Sequence, residues 1–275
     1  MSGDVTNRAV VHPPGTILQH LYIRERLTGR TPGTFIEVGV GGGHLSQLLL
    51  SQGWTGTGYD LSASSLVRAS KLNSAFIASG RFTVRNEDWL SGNEVNKVDL
   101  VASSMVLEHL DDEAIARYFD RAAASLKPDG FGILLVPSSP RHWGIEDEIA
   151  GHYRRYTADS LRSTLQEHGW LVNHLAGLCY PVSNVLLKLS DVLVRRAERG
   201  KQTLTMQERT ELSGDRDVAW KTEFPPWAGI LINDRVLRPF HWLQKRSRDT
   251  PDALVLYCEC SPPRATDLPG TSRPH

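Results

Sequence analysis

The run Thr34 to Asp60, TFIEVGVGGGHLSQLLLSQGWTGTGYD, constrains this chain more than any other stretch. An apolar segment carrying Phe35, Ile36 and Val38 stops at Glu37-x-Gly39-x-Gly41-x-Gly43. An amphipathic segment follows, with Leu45, Leu48, Leu49 and Leu50 on one side, and a second short strand ends at Asp60. The pattern predicts strand, glycine loop, helix and strand, the first half of an open parallel sheet. In such sheets a ligand lies across the carboxyl ends of the first strands. Gly39 and Gly41 let the backbone turn with positive φ and approach a ligand, and Gly43 lets the helix start close to the strand.

The loop also narrows the ligand. A dinucleotide fingerprint, G-x-G-x-x-G, would need glycine at 44 or at 46, where this chain has His44 and Ser46. Asp60 lies 23 residues after Glu37, a distance that suits a carboxylate accepting from ribose hydroxyls. An acid beside the loop repels a pyrophosphate and favours a ligand that carries an ammonium group. S-adenosylmethionine (SAM) has an ammonium, a sulfonium and no phosphate.

On these residues, and on four further matches in order, the chain resembles the class I SAM-dependent methyltransferases, over about 34–180 and again over about 252–260. Asp60 matches the family's ribose acid. Asn86-Glu87-Asp88-Trp89 follows the third strand, where the family places an acid against adenine. The segment from Asp99 to Leu110, DLVASSMVLEHL, resembles the fourth-strand motif of the branch that includes quinone-biosynthesis methyltransferases. Leu126-Lys127-Pro128-Asp129-Gly130 resembles the turn before strand five, with Asp129 in place of a glycine. The resemblance implies a doubly wound α/β fold, a Rossmann-like sheet of seven strands with an antiparallel last strand. It implies SAM as cofactor, held by Glu37, Gly39, Gly41, Gly43, Asp60, Leu61, Asp88, Trp89 and Ser104. Trp89 is equally suited to the core.

Strands are expected near 34–39, 54–60, 81–86, 97–103, 131–136 and 170–178, with helices at 43–52, 62–78 and 111–126 between them. A leading helix through Ile17, Leu18, Leu21, Ile23 and Leu27 would cover the ligand site within a cap of residues 1–33. Thr157 reads as a helix N-cap. The final strand is Ala253 to Cys258. Residues 181–251 form an insertion before it, and 261–275 look like a disordered tail. The insertion carries 13 Lys plus Arg against nine Asp plus Glu, so it is basic and the remainder is acidic. One apolar stripe runs through Val185, Leu186, Leu189, Val192 and Leu193, and a second through Trp227, Ile230, Leu231, Val236, Leu237, Phe240 and Leu243. Three readings stay open for it: a lid or homodimer interface, a lid over an acceptor with an apolar chain, or peripheral membrane contact.

Formal net charge is zero, which implies no global attraction to nucleic acid. Three cysteines show no metal-ligand spacing. With no signal peptide and no apolar run long enough to span a membrane, a cytoplasmic protein is expected. No His/Cys cluster or Asp-rich group indicates a metal.

Methyl transfer from SAM is an in-line displacement, so orientation supplies much of the rate. An oxygen acceptor must also lose a proton, for which His109, after strand four, is the first candidate base and His152 the second. The string His152-Tyr153-Arg154-Arg155-Tyr156 suggests acceptor contacts by Tyr153, Arg155 and Tyr156. The alternative for its arginines is pairing with Glu146, Asp147 and Glu148. The sequence thus points to O-methylation of a small molecule in a specialised or lipid/glycan-related pathway. Two readings stand beside it: attack on the aminocarboxypropyl chain of SAM with release of methylthioadenosine, and a non-catalytic scaffold.

Overall fold

The computed structural model describes residues 11–92, 95–185 and 226–263. The part of the expected stripe from Leu186 to Leu193, the side chains of Trp227 and Glu146, and the tail from 264 onward lie outside the described residues.

Seven strands form one sheet: β1 (Thr34–Val38), β2 (Thr55–Tyr59), β3 (Phe82–Arg85), β4 (Val98–Ser104), β5 (Leu126–Pro137), β6 (Leu171–Leu178) and β7 (Val255–Ser261). Their spatial order is β3-β2-β1-β4-β5-β7-β6. The pairs β1–β2, β2–β3, β1–β4 and β4–β5 are parallel, and β7 runs antiparallel to both β5 and β6. The chain winds outward from β1 to β3 and then returns to β4. The switch point therefore lies between β1 and β4, and a crevice opens at their carboxyl ends.

Alternation along the strands builds a core on each face. Phe35, Leu100, Ile133, Leu135 and Tyr257 join one cluster with α1 (Pro14–Leu27), α2 (His44–Ser51) and α3 (Ala63–Leu72). Ile36, Val101, Leu134, Val136 and Leu256 join the other with α5 (Asp112–Ser125) and α7 (Ala158–Glu167). Leu49 and Leu50 of α2 are fully buried. At about 1.5–3 kcal/mol per buried side chain, they hold the helix, and with it the glycine loop, on the sheet.

The helix expected over 62–78 is two helices, α3 and α4 (Ser74–Ala78), parted at Asn73. The buried Asn73 amide donates to the carbonyls of Gly43 and Ala69, both at 3.0 Å. The break thus ties the end of α3 to the glycine loop. Strand β5 begins at Leu126, but the register with β4 passes from Val98–Leu126 to Leu100–Phe131, so Lys127-Pro128-Asp129-Gly130 bulges out where the turn is expected. Thr157 and Ser160 form a reciprocal cap on α7, as the sequence predicts.

The leading helix α1 is fixed to the last strand by a buried acid. Glu259, 1 % exposed, takes Arg26 at 2.6 and 3.0 Å, Arg30 at 2.7 Å and the Tyr257 hydroxyl at 2.9 Å. From the insertion, α8 (Asp234–Arg246) packs on α1. Leu237 meets Ile17 and Leu18, and Gln244 donates to the Leu18 carbonyl at 2.9 Å. Among the described residues, no helix is long and apolar enough to cross a membrane. Cys258 and Cys260, two positions apart on β7, are free and buried.

Candidate active site

The first part of the site is the β1–α2 loop. Gly39, Gly41 and Gly43 all have positive φ, at 73°, 52° and 82°, yet each does a different job. A Cβ at Gly39 would sit 2.5 Å from a Val106 methyl, so this glycine lets the loop after β4 close against the loop after β1. A Cβ at Gly43 would meet Ala69 Cα at 2.9 Å, so this one permits packing on α3. A Cβ at Gly41 would meet nothing within 4 Å, which leaves room for a ligand against the backbone.

Two carboxylates border that space. Glu37 is buried and accepts the Ser46 hydroxyl on Oε2. Burial pushes its carboxyl up to about 8, only partly countered by Ser46. A neutral acid at the end of β1 becomes a carboxylate once a cation arrives. Asp60 accepts Gly41 N–H at 2.8 Å on Oδ2 and Ser62 N–H at 2.9 Å on Oδ1, and so holds the loop against the end of β2. Leu61, beside it, is 61 % exposed, an apolar surface placed at the strand's carboxyl edge. Asp88 is exposed and caps its own turn through Leu90 N–H at 3.0 Å and the Ser91 hydroxyl. Ser104 ends β4, partly exposed.

Trp89 is placed otherwise than an adenine contact needs. It is buried, with Tyr118 edge-on at 5.8 Å and the Arg121 guanidinium 5.1 Å from its ring centre. It is a core residue.

The second part lies across the ends of β4 and β5. Met105 and Ser139, neither of them glycine, take φ of 56° and 61° just past these strands. Such conformations cost about 1–3 kcal/mol each and collect at functional sites. A short 3₁₀ turn, Leu107–His109, follows β4. The segment 152–156 docks on it: Tyr153 N–H donates to the Glu108 carbonyl at 2.8 Å, and Tyr156 N–H to the Pro137 carbonyl at 2.9 Å. His152 is thereby brought to His109, their rings edge to face with centres 4.6 Å apart.

Asp147, from α6 (Ile145–Ala150), organises this corner. Fully buried, it holds His152 Nδ1 at 2.8 Å and Arg155 Nε at 2.7 Å on Oδ1, and Gly144 N–H at 2.9 Å on Oδ2. Burial alone would raise its carboxyl, but His152 and Arg155 outweigh that and hold it down at about 2. Arg155 is engaged a second time by the Ser138 carbonyl at 3.2 Å, and Arg154 pairs with Asp112 at 2.8 Å. The pairing alternative is thus realised for Arg155 through Asp147, and its guanidinium is not presented to an acceptor. Tyr156 is buried as well, which removes it from a surface that an acceptor could touch. Tyr153 is about half exposed and remains open to contact.

The sequence offers Asp147 as a partner for the arginines but not as the anchor of His152, and it gives Glu108 no role. Glu108, set between Leu107 and His109, is 0 % exposed with neither carboxylate oxygen hydrogen-bonded. Burial raises its carboxyl to about 8. A ligand atom each of Glu108, His109 and His152 lies within 4.8 Å of the others. The sequence, which separates His152 from His109 by 43 positions, gives no metal spacing; the fold creates a three-residue cluster that could hold one.

The sequence model of the methyltransferase-domain family matches residues 16–175, more than half of the chain. No curated protein sequence matches significantly. Among solved structures, magnesium protoporphyrin IX methyltransferase from Synechocystis PCC 6803 is 20% identical, with 65% of this chain and 84% of that chain covered, at a TM-score of 0.51. A provisionally named sarcosine dimethylglycine methyltransferase from Galdieria sulphuraria is 13% identical, with 90% and 84% covered, also at 0.51. The pyocyanin biosynthetic protein PhzM is 21% identical at 0.49, with 59% of this chain covered; the match spans about half of PhzM's length. These likenesses are of fold.

Proposed function

We propose that this chain, which belongs to the methyltransferase-domain family and uses SAM as methyl donor, acts on an oxygen of a small-molecule acceptor. Glu37 would take the SAM ammonium, Asp60 the ribose, and Asp88 the adenine edge, with Leu61 against the base and the backbone at Gly39, Gly41 and Ser104 closing on the ligand. The acceptor would enter between the 104–109 turn and Tyr153. Its hydroxyl oxygen attacks the sulfonium methyl, the C–S bond breaks, and S-adenosylhomocysteine leaves. The hydroxyl proton goes to the His109–His152 pair.

The observation that carries this reading is the pair itself. His152 Nδ1 is held on Asp147, which fixes the ring's orientation, and the ring lies edge to face with that of His109. A carboxylate-held imidazole at the carboxyl edge of β4 and β5 is the arrangement a general base requires. Its position at the carboxyl edge of β4, the strand next to β1 and the glycine loop, supports this reading.

The test pairs product analysis with two variants. Hydroxylated small molecules incubated with SAM should yield an O-methyl product and S-adenosylhomocysteine by mass spectrometry. His152→Ala and His109→Ala should each lower kcat by about 10²-fold or more, with affinity for S-adenosylhomocysteine unchanged. Full turnover in both variants, or release of methylthioadenosine in place of S-adenosylhomocysteine, would overturn the reading.

A further inference from the structure

We propose that Glu108, His109 and His152 form a binding site for one divalent transition-metal cation of the zinc class, with an open coordination position facing the acceptor. The sequence reading named no metal, and the methyl-transfer reading needs none.

Three observations carry the site. The donor atoms of the three residues already lie within 4.8 Å of one another. A tetrahedral cation at ~2.0–2.1 Å from each donor needs separations of roughly 3.3 Å. Metal binding would draw the three donors closer together by side-chain rotation. Glu108 is fully enclosed and both its oxygens lack a partner. Leaving a buried carboxylate unsatisfied is costly, and a cation is the partner that removes the cost. His152 gives Nδ1 to the buried Asp147 at 2.8 Å, which leaves Nε2 as its donor atom. A carboxylate behind a ligating imidazole is the usual outer support of a metal-bound histidine.

The ligand set also selects the ion. Two imidazoles and one carboxylate suit zinc and its first-row neighbours, and do not suit calcium or magnesium, which prefer all-oxygen shells. Three protein ligands leave a fourth position open, as in catalytic rather than structural zinc sites. Methyl transfer moves no electrons between substrate and metal, so a redox-inert Lewis acid suffices. In the loaded site the acceptor oxygen would occupy the open position and ionise more readily. The methyl transfer proposed above is kept, but the acceptor's proton would pass to solvent in place of the His109–His152 pair, whose nitrogens hold the cation. This role rests on the methyl-transfer reading above; the binding site itself does not.

The experiment is direct. The full-length protein is stripped with chelator, dialysed against Zn2+, and assayed for metal content and for affinity by calorimetry. One zinc per chain with Kd of about 10 µM or tighter is expected. Co2+ loading should give a visible spectrum of nitrogen and oxygen donors without sulfur. Glu108→Gln and His152→Ala should each weaken Zn2+ affinity at least tenfold and leave S-adenosylhomocysteine binding intact. Two variants are used because one of them could unfold the corner. His12→Ala, in the separate histidine group beside His44, should change nothing. No stoichiometric zinc in folded, S-adenosylhomocysteine-binding protein would overturn the site, as would zinc that survives both cluster variants. Zinc binding without a methylated product would keep the site and sink the oxygen-methylation reading. Product formed equally with and without zinc, in protein that binds none, would do the reverse.

Discussion

The two halves of the crevice are built on opposite plans. On the β1–β2 side the contacts are made by backbone. Gly41 N–H and Ser62 N–H meet Asp60, and three glycines shape the loop, all within a few tens of residues of chain. On the β4–β5 side the contacts are made by side chains from segments far apart, namely Glu108 and His109 against His152, with Asp147 and Arg155 behind them. A backbone-built site is damaged by adding atoms, because it works through close approach. A side-chain-built site is damaged by removing them, because each charge relies on its partner.

The largest expected effect lies on the side-chain half. Asp147→Ala would leave the Arg155 guanidinium and the His152 ring without their shared carboxylate in a buried corner. Removing one partner of a buried ion pair costs about 3–5 kcal/mol, so urea denaturation should show a loss of that size. Since the Asp147 carboxyl is held at about 2 in the folded state, below its ordinary value, its contribution is present above the ordinary carboxylate range and fades as pH falls through it. Wild type and variant should therefore converge in stability toward pH 2. A loss under 1 kcal/mol at pH 7 would mean that the corner tolerates deletion, and the contrast between the halves would fail.

On the backbone half the same logic is run by addition. Gly43→Ala places a Cβ 2.9 Å from the Ala69 backbone at a φ of 82°. Strain and overlap together should cost about 2–3 kcal/mol. Gly41→Ala has open space around it and a φ of 52°, so its stability cost should be about 1 kcal/mol. Its effect on S-adenosylhomocysteine binding should nevertheless be the greater relative to its stability cost, if the open space at Gly41 is the ligand's as proposed. Thermal melts alongside calorimetry separate the two. Equal, small effects of Gly41→Ala on both readouts would place the ligand elsewhere.

How much of each half was legible follows from the same difference. The run from Glu37 to Asp60 could be read because its partners are near in sequence and its periods are clean. The observed strands β1 and β2 end within one residue of the expected bounds. Asn73 falls inside the helical pattern of 62–78, because its partner, Gly43, is 30 residues away. Trp89 follows the third strand as an adenine-facing residue would, and only packing against Tyr118 and Arg121 shows it as core. Arg155 and Tyr156 carry the chemistry of an acceptor site but are turned inward to Asp147 and the end of β5. Glu108 had one local signal, a charged residue inside the run Val106-Leu107-Glu108-His109-Leu110, and that signal identifies burial without naming a partner. Asp147 had none that tied it to His152.

The smallest effect tests whether the backbone half keeps one side chain in reserve. Burial holds the Glu37 carboxyl at about 8 in the unliganded protein, above its ordinary value. Its protonated form thus stabilises the fold at low pH, and that contribution is lost as pH rises through about 8. A ligand ammonium beside it reverses the preference. Binding of S-adenosylhomocysteine below pH 8 should then release a proton, visible as a buffer-dependent calorimetric heat. Affinity should climb with pH up to about 8, by at most tenfold per pH unit. The ligand's own amine would give the opposite trend, since it loses charge as pH rises, so the sign alone assigns the group. Glu37→Gln should flatten the profile, remove the proton release and raise unliganded stability above pH 8. A flat profile in the wild type would mean that Glu37 meets no ammonium, and the half of the crevice that the sequence describes best would need another explanation for its buried acid.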